Sequence, residues 1–285
     1  MKVHRFFIKD VLLNHKKGQG ITLDEVNSKE QIHQIIKVLR LDKSENISIF
    51  NESVEYLTEI IEIQNDKRHM SVKLSIKDIL HSKEIENAIS MEKENSLNKE
   101  KKNAEINLYM SFIKKSNFEW VLEKCVELGV HSVIPIISMR TERENVAALT
   151  SDNVQMRLEK ITIEATEQCG RRDLMIFKKP LSLSLITAQA LETNKNKEFK
   201  KDTLNLFAHI GATDNIMQCM QASTGVELLA SIKQINIYIG PEGGWHGDEI
   251  DKMIQADFRP VSLGSLVLRA ETAAISAVAI ASLGL

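Results

Sequence analysis

Apolar residues in the first part of the chain come in short runs or alternate with polar ones. Residues 47–50, 56–63 and 71–77 show this pattern over spans of strand length. One segment breaks it. Ile32, Ile35, Ile36 and Leu39 recur at i, i+3, i+4 and i+7, which predicts a helix with Ser28 at its N-cap. Short strands around one helix suit a small barrel over residues 1–78. The pattern then lapses. Residues 82–105 are rich in Lys, Glu, Asn and Ser and hold no aromatic residue. That composition predicts a charged linker or insertion over 79–105, partly disordered. From 106 to 285 strand and helix patterns alternate. Strands are predicted at 106–113, 130–137, 204–208 and 235–239. Helices are predicted at 117–128, 152–169, 248–256 and 271–283, with Asn117 as an N-cap and Gly129 and Gly170 as stops. Such alternation predicts an α/β domain with a largely parallel sheet.

Candidate chemistry lies where two predicted strands end. The run 235–239 leads into Gly240, Pro241, Glu242, Gly243, Gly244 and Trp245, and residues 262–272 read SLGSLVLRAET. Glycine-bearing loops let backbone groups approach a ligand closely, because glycine has no Cβ and reaches positive φ cheaply. No GxxxxGK[ST] lysine accompanies them, and Glu242 would repel phosphate. A sulfonium or ribose-bearing ligand suits them better. Trp245 reads as packing rather than as a stacking platform. Arg269, between Leu268 and Ala270, requires a carboxylate or a polar substrate as partner. Glu271 and Thr272 serve either the chemistry or the N-terminus of the last helix.

Taken in order, these strings resemble the S-adenosylmethionine site of the SPOUT superfamily, and more narrowly the RsmE-type 16S rRNA (uracil-N3) methyltransferases. Glu127-Leu128-Gly129-Val130, then Ile134-Pro135 and Ser138-Met139-Arg140, are similar to the family's ELGV…IxP…SxR stretch. Glu164 to Arg171 is similar to its EAxEQxGR segment, and Arg5-Phe6-Phe7 and residues 33–40 to its RNA-binding part. The resemblance covers most of the chain. One departure stands out: Arg172-Asp173-Leu174-Met175 lacks the family's usual proline.

The resemblance implies a PUA-like β-barrel followed by a deep trefoil knot, where pattern rules alone predict an unknotted sheet. It implies S-adenosylmethionine held by Ala208, His209, Ile239, Gly240, Glu242, Gly243, Leu263, Gly264 and Leu268. It implies catalysis by Arg269 and Glu271, and RNA contacts from Arg5, His33, Arg40, Lys114, Arg140 and Arg171. The expected substrate is 16S rRNA, within the assembled small subunit, and the expected assembly a homodimer. Two alternatives remain open here: a SPOUT enzyme acting on a ribose 2′-OH or on transfer RNA, and a non-catalytic RNA-binding assembly factor.

Charge adds a gradient. Residues 1–43 hold nine Lys/Arg against five Asp/Glu, whereas 236–285 hold three against six. A basic start suits RNA and an acidic end suits a cationic cofactor. Cys125, Cys169 and Cys219 are scattered, without metal-ligand spacing, so neither a disulfide framework nor a metal site is expected. No long charge-free apolar run and no signal-like start occur, which predicts a cytoplasmic protein away from membranes.

Overall fold

The computed structural model describes residues 3–9, 15–66, 69–82, 104–195, 202–222 and 232–284. The chain divides into two compact units, one of 1–100 with 166–174 and one of 101–165 with 175–285.

The first unit is built on a mixed sheet. Strands β1 (His4–Phe7), β2 (Gly20–Asp24), β3 (Asn46–Phe50), β4 (Val54–Asp66) and β5 (His69–Ser82) lie in the order β1-β3-β4-β5-β2. β1 runs parallel to β3 and the other pairs are antiparallel. Alternate residues turn inward to a core that includes Phe6, Leu23, Ile49, Ile60 and Leu74. The predicted helix is a short α1 (Lys29–His33) that widens into a π-helical turn at Gln34–Val38. Leu39 N–H reaches back to the Gln34 carbonyl at 2.8 Å, and Arg40 follows with φ +51°. Ile32 and Ile35 fill the core as their spacing predicts. Ser28 occupies the N-cap position, but its hydroxyl is buried without a partner. β5 continues to Ser82, so residues 79–82, expected in the linker, are strand. The rest of the expected linker, 83–103, lies outside the described residues.

The second unit carries an all-parallel sheet in the order β12-β10-β11-β6-β7-β8. Its strands are β6 (Glu105–Ser111), β7 (Ser132–Ile137), β8 (Ile176–Phe177), β10 (Thr203–Ala208), β11 (Gln234–Ile239) and β12 (Arg259–Val261), and a short β9 (Leu181–Ser182) also pairs with β7. The helices are α2 (Lys115–Glu127), α3 (Arg143–Thr150), α4 (Asp152–Cys169), α5 (Leu183–Lys195), α6 (Ile216–Ala222), α7 (Gly247–Gln255) and α8 (Ala270–Leu283). The last four residues of α4 belong to the first unit. Gly129 at φ +77° and Gly170 at φ +80° end α2 and α4, as expected of C-terminal glycines. α2 begins two residues earlier than predicted, with Lys114 at its N-cap, so Asn117 lies inside the helix.

Residues Ile106, Leu108, Ile235, Ile237, Leu204 and Leu206 face one core with α2 and α8; Tyr109, Tyr238 and Phe207 face the other with α5 and α7. The alanines Ala273, Ala274, Ala277 and Ala281 are buried, which lets α8 lie close to its neighbours. The three central strands share one local pattern, INLY, INIY and LNLF, in register. Their asparagines form a row. Ser132 Oγ donates to Asn107 Oδ1 at 2.6 Å, Asn107 Nδ2 to Asn236 Oδ1 at 3.0 Å, and Asn236 Nδ2 to Asn205 Oδ1 at 2.8 Å. Two positions along, Tyr109 stacks on Tyr238 at 4.4 Å, and burial raises the pKa of both phenols, keeping them neutral.

Asn236→Ala should remove two of these bonds and strand the Asn107 amide in the core. A loss of about 2 kcal/mol is expected, read from the urea midpoint. An unchanged midpoint would show that the row contributes nothing to stability.

Candidate functional site

Loops that follow β10, β11 and β12 enclose a cavity of about 1000 Å³, joined by Asn117 of α2 and Arg140 from the loop after β7. Small-molecule sites typically measure about 300–1,000 Å³, so this one has room for a cofactor and part of a second molecule. Its place, outside the carboxyl ends of parallel strands, is where open α/β sheets hold ligands.

The loop after β11 is shaped by its own tryptophan. Gly244 N–H donates to the Pro241 carbonyl at 2.8 Å and closes a tight turn. Trp245 then folds back over Gly240, where an added Cβ would lie 3.0 Å from the indole ring. Trp245 Nε1 donates to the Ala208 carbonyl at 2.9 Å, which ties this loop to the end of β10. The residue is buried and acts as packing, as its sequence context suggested. Gly264 has φ +122°, a conformation that requires glycine. Beyond it, Ser265, Leu266, Val267 and Leu268 make no backbone hydrogen bond to the described residues. Leu263 and Leu268 pack against the core, but Leu266 and Val267 are 78% and 75% exposed. The loop therefore offers open main-chain groups beside two anchored apolar side chains.

A buried carboxylate joins two of these loops. Glu249, only 7% exposed, accepts from His246 N–H at 2.9 Å within the α7 capping box. Its other oxygen accepts from Met139 N–H at 2.7 Å, in the loop after β7. Arg140 supplies a second link, donating to the Gly243 carbonyl at 2.9 Å. An added Cβ at Gly243 would meet Arg140 at 3.5 Å, an ordinary contact, so that glycine leaves room for Arg140.

All nine expected cofactor residues, Ala208, His209, Ile239, Gly240, Glu242, Gly243, Leu263, Gly264 and Leu268, line the cavity, as do Arg269 and Glu271. Arg269 is the N-cap of α8, exposed, and has no ion-pair partner among the described residues; of the two partners its sequence context allowed, a carboxylate or a polar substrate, no carboxylate among those residues pairs with it. Glu271, in the first turn of α8, is buried. Glu242 is exposed in the glycine loop and His209 half-buried beside it. Sequence reasoning missed Asn117, whose half-buried amide lines the cavity without a hydrogen bond. Its reading as an N-cap concealed it. Open backbone groups, apolar walls and two acidic side chains fit a cofactor that joins an adenine and a ribose to a positively charged sulfur.

The residues expected to meet RNA are scattered. Arg140 lines the cavity, and Lys114 is exposed at the start of α2. In the first unit, His33 and Arg40 are exposed around the π-helical turn. Arg5 requires a correction. Its guanidinium is bidentate to Glu55 at 2.8 and 3.0 Å, donates to the Thr166 and Arg171 carbonyls, and lies 4.2 Å over the Phe50 ring. With 12% of its side chain exposed, it has no surface to offer RNA. Arg171 is corrected likewise: its side chain is 10% exposed and bonds Asp173 at 2.8 Å. Glu167 completes this anchor by accepting from Phe7 N–H at 2.8 Å. Among the described residues no group of His, Cys, Asp and Glu could hold a metal ion, and no helix is long and apolar enough to cross a membrane.

The sheet, the cavity at its carboxyl edge and the glycine loops together define an α/β domain built around a small-molecule cofactor. The sequence profile described as RNA methyltransferase domain matches residues 99–282, and the chain belongs to that family. Among named relatives, ribosomal RNA small subunit methyltransferase E of Buchnera aphidicola subsp. Schizaphis graminum is 29% identical, over 97% of this chain and 94% of its own length. The protein of that name from Rickettsia conorii is 28% identical over 98% and 95%. In structure, the chain superimposes on a Legionella pneumophila protein described as a methyltransferase and solved with bound SAM (TM-score 0.71, 24% identity, 99% and 98% covered). It also superimposes on ribosomal RNA small subunit methyltransferase E of Neisseria gonorrhoeae bound to S-adenosyl methionine (TM-score 0.68, 22% identity, 98% and 96% covered). These solved structures share its fold.

Glu249→Gln keeps the side chain's shape but turns an amide donor toward one of the two backbone N–H groups. Hydrogen bonds to charged groups contribute about 1.5–3 kcal/mol, so cofactor affinity should fall roughly tenfold or more by calorimetry. Arg140→Ala bridges the same loops, and the two changes should combine non-additively. Additive effects would show that the loops are positioned independently.

Proposed function

We propose that this chain uses S-adenosylmethionine to methylate N3 of a uridine in small-subunit ribosomal RNA. The observation that carries the reading is the convergence of three loops, Arg269 and Glu271 on one cavity, in a chain of the RNA methyltransferase family whose full-length relatives are named for small-subunit rRNA methylation.

Bound S-adenosylmethionine supplies an electrophilic methyl group. The chain's own residues do the rest. Open backbone groups of 265–268 would hold the adenine edge, with Leu263 and Leu268 as its apolar neighbours, and Glu242 would offset the ligand's positive charge. The target base leaves its stack to reach the cavity. Neutral uracil N3 carries a proton and has no lone pair free to attack, so charge builds on the ring as the proton leaves. Arg269, which lines the cavity and has no ion-pair partner among the described residues, stabilises that charge on the carbonyl oxygens. Correct alignment of nitrogen and methyl supplies the remainder.

The first unit acts as a PUA-like RNA-binding domain, supported by its mixed five-stranded sheet and by exposed His33, Arg40 and Lys43. The second takes the SPOUT trefoil knot. Lys114 and Arg140 extend the RNA face there. The enzyme works as a cytoplasmic homodimer on RNA of the small subunit. Exposed Ile210, Leu266, Val267 and Leu283 of the second unit provide apolar surface for a second copy. Light scattering should show twice the monomer mass; an active monomer would refute the dimer.

Nucleoside analysis of small-subunit RNA from cells lacking this chain should show the loss of one N3-methyluridine. Arg269→Ala should lower single-turnover methylation about a hundredfold, while the thermal melt and cofactor titration change little. Arg269→Lys should rescue only in part, because an ammonium lacks the planar fork. Near-normal turnover in the folded alanine variant would assign the stabilising role to another donor.

A further inference from the structure

Among the acidic residues that line the cavity, Glu271 alone is buried. It is 7% exposed and has neither a hydrogen bond nor an ion pair with any described residue. Its stem is packed away, but its carboxylate oxygens are not sealed from solvent and open onto the cavity. The first turn of α8 favours negative charge there, but the residue accepts no bond from that turn or from Arg269 two positions before it. A ligand that fills the cavity and displaces its water must supply this carboxylate with a partner.

Two ligand groups could serve: the positive charge of the cofactor, or the N3–H of uracil. The cofactor's charge would already be offset by Glu242. Besides Glu271, the ring of His209 is another acceptor on the cavity wall, but it does not share the Arg269 helix terminus. Arg140 and Arg269 are donors only. His209 lies half-buried at the end of β10, with its ring against Phe207. On the helices packed against α8, Cys125 and Cys219 do not line the cavity, and burial holds both thiols above their usual range. Chemical order supports the second partner. The edge of uracil presents an acceptor, a donor and an acceptor in sequence. Arg269 and Glu271 present a donor and an acceptor from one loop-to-helix junction, which matches a carbonyl oxygen and the adjacent N–H.

We propose that Glu271 accepts the N3 proton during methyl transfer. This rests on the reading of the site as a uridine N3 methyltransferase. The N3–H bond breaks and its proton passes to a Glu271 oxygen. The electron pair left on N3 forms the bond to the methyl carbon as that carbon's bond to sulfur breaks, and sulfur keeps the pair and loses its charge. Glu271, now neutral, returns the proton to solvent after the product leaves.

The test compares Glu271→Gln with wild type in single-turnover methylation of unmethylated small subunits across pH, beside calorimetric titration of S-adenosylmethionine and a thermal melt. General acid–base groups contribute about 10²–10⁴-fold, and a loss in that range is expected for Gln at neutral pH. Its rate should climb tenfold per pH unit toward alkaline pH, where the substrate's own ionisation removes the proton. Cofactor affinity should stay within a few-fold. Glu271→Asp, which keeps the carboxylate, should be slower but retain the wild-type pH profile. If Gln fails to fold, the Asp profile decides: an alkaline climb in Asp would count against the proposal. A near-normal rate in folded Gln would overturn it. So would lost cofactor affinity with a normal rate at saturating cofactor, which would make Glu271 a cofactor contact. Product analysis of the wild type separates the underlying reading: N3-methyluridine upholds it whatever Glu271 does, and methylation elsewhere rejects both.

Discussion

The register of the parallel sheet is the constraint on which the site depends. Parallel strands of alternating apolar residues can slip, and a slip of one residue exchanges their two faces. The row from Ser132 through Asn107 and Asn236 to Asn205 prevents this in β7, β6, β11 and β10. Each amide is satisfied only when its neighbour stands directly opposite, and a buried amide left unpaired is costly. The cavity loops leave the far ends of these same strands. A shift in register would move Ala208, Gly240 and Ser138 relative to one another by about 3.3 Å per residue, enough to break every link between their loops.

Those links turn flexible sequence into a defined surface. Glycine loops are mobile unless tied down, and here the loop after β11 is tied to the end of β10 and to the loop after β7. Trp245 bonds the end of β10, Glu249 bonds the loop after β7, and Arg140 bonds back to Gly243. The polar groups that hold the loops together are thus satisfied within the protein. Those left unsatisfied, the backbone of 265–268, Arg269 and Glu271, face the cavity. The division between structural and ligand-facing polar groups follows from which ones already have partners.

Several residues changed meaning between sequence and structure. Arg5 looked like a surface charge for RNA, yet it is bound to Glu55 and to two carbonyls from residues 166–171. The sequence separation of more than 160 residues hides that contact. Asn117 looked like a cap because helix starts favour asparagine. α2 starts two residues earlier, which turns Asn117 from the end of the helix toward the cavity. Glu249 lies in the helix predicted over 248–256, with no local mark of its role. Its second oxygen meets Met139, and nothing local foretells that.

The sequence by itself determined the local elements and the loop chemistry. Apolar periodicity located the main strands and the long helices, glycines marked the ends of α2 and α4, and the strings at 240–245 and 262–272 identified loops that line the cavity. These are local properties, set by side-chain spacing and by which residues tolerate positive φ. Tertiary structure alone decided the strand order, the membership of 166–174 in the first unit, and the partners of each charged side chain. Pairings between parallel strands and bonds between distant loops depend on which segments meet, and periodicity along one segment carries no record of its neighbour. For the same reason the burial of Glu271 became visible only once α8 had packed against the sheet, where the side chain lines the cavity with no partner among the described residues.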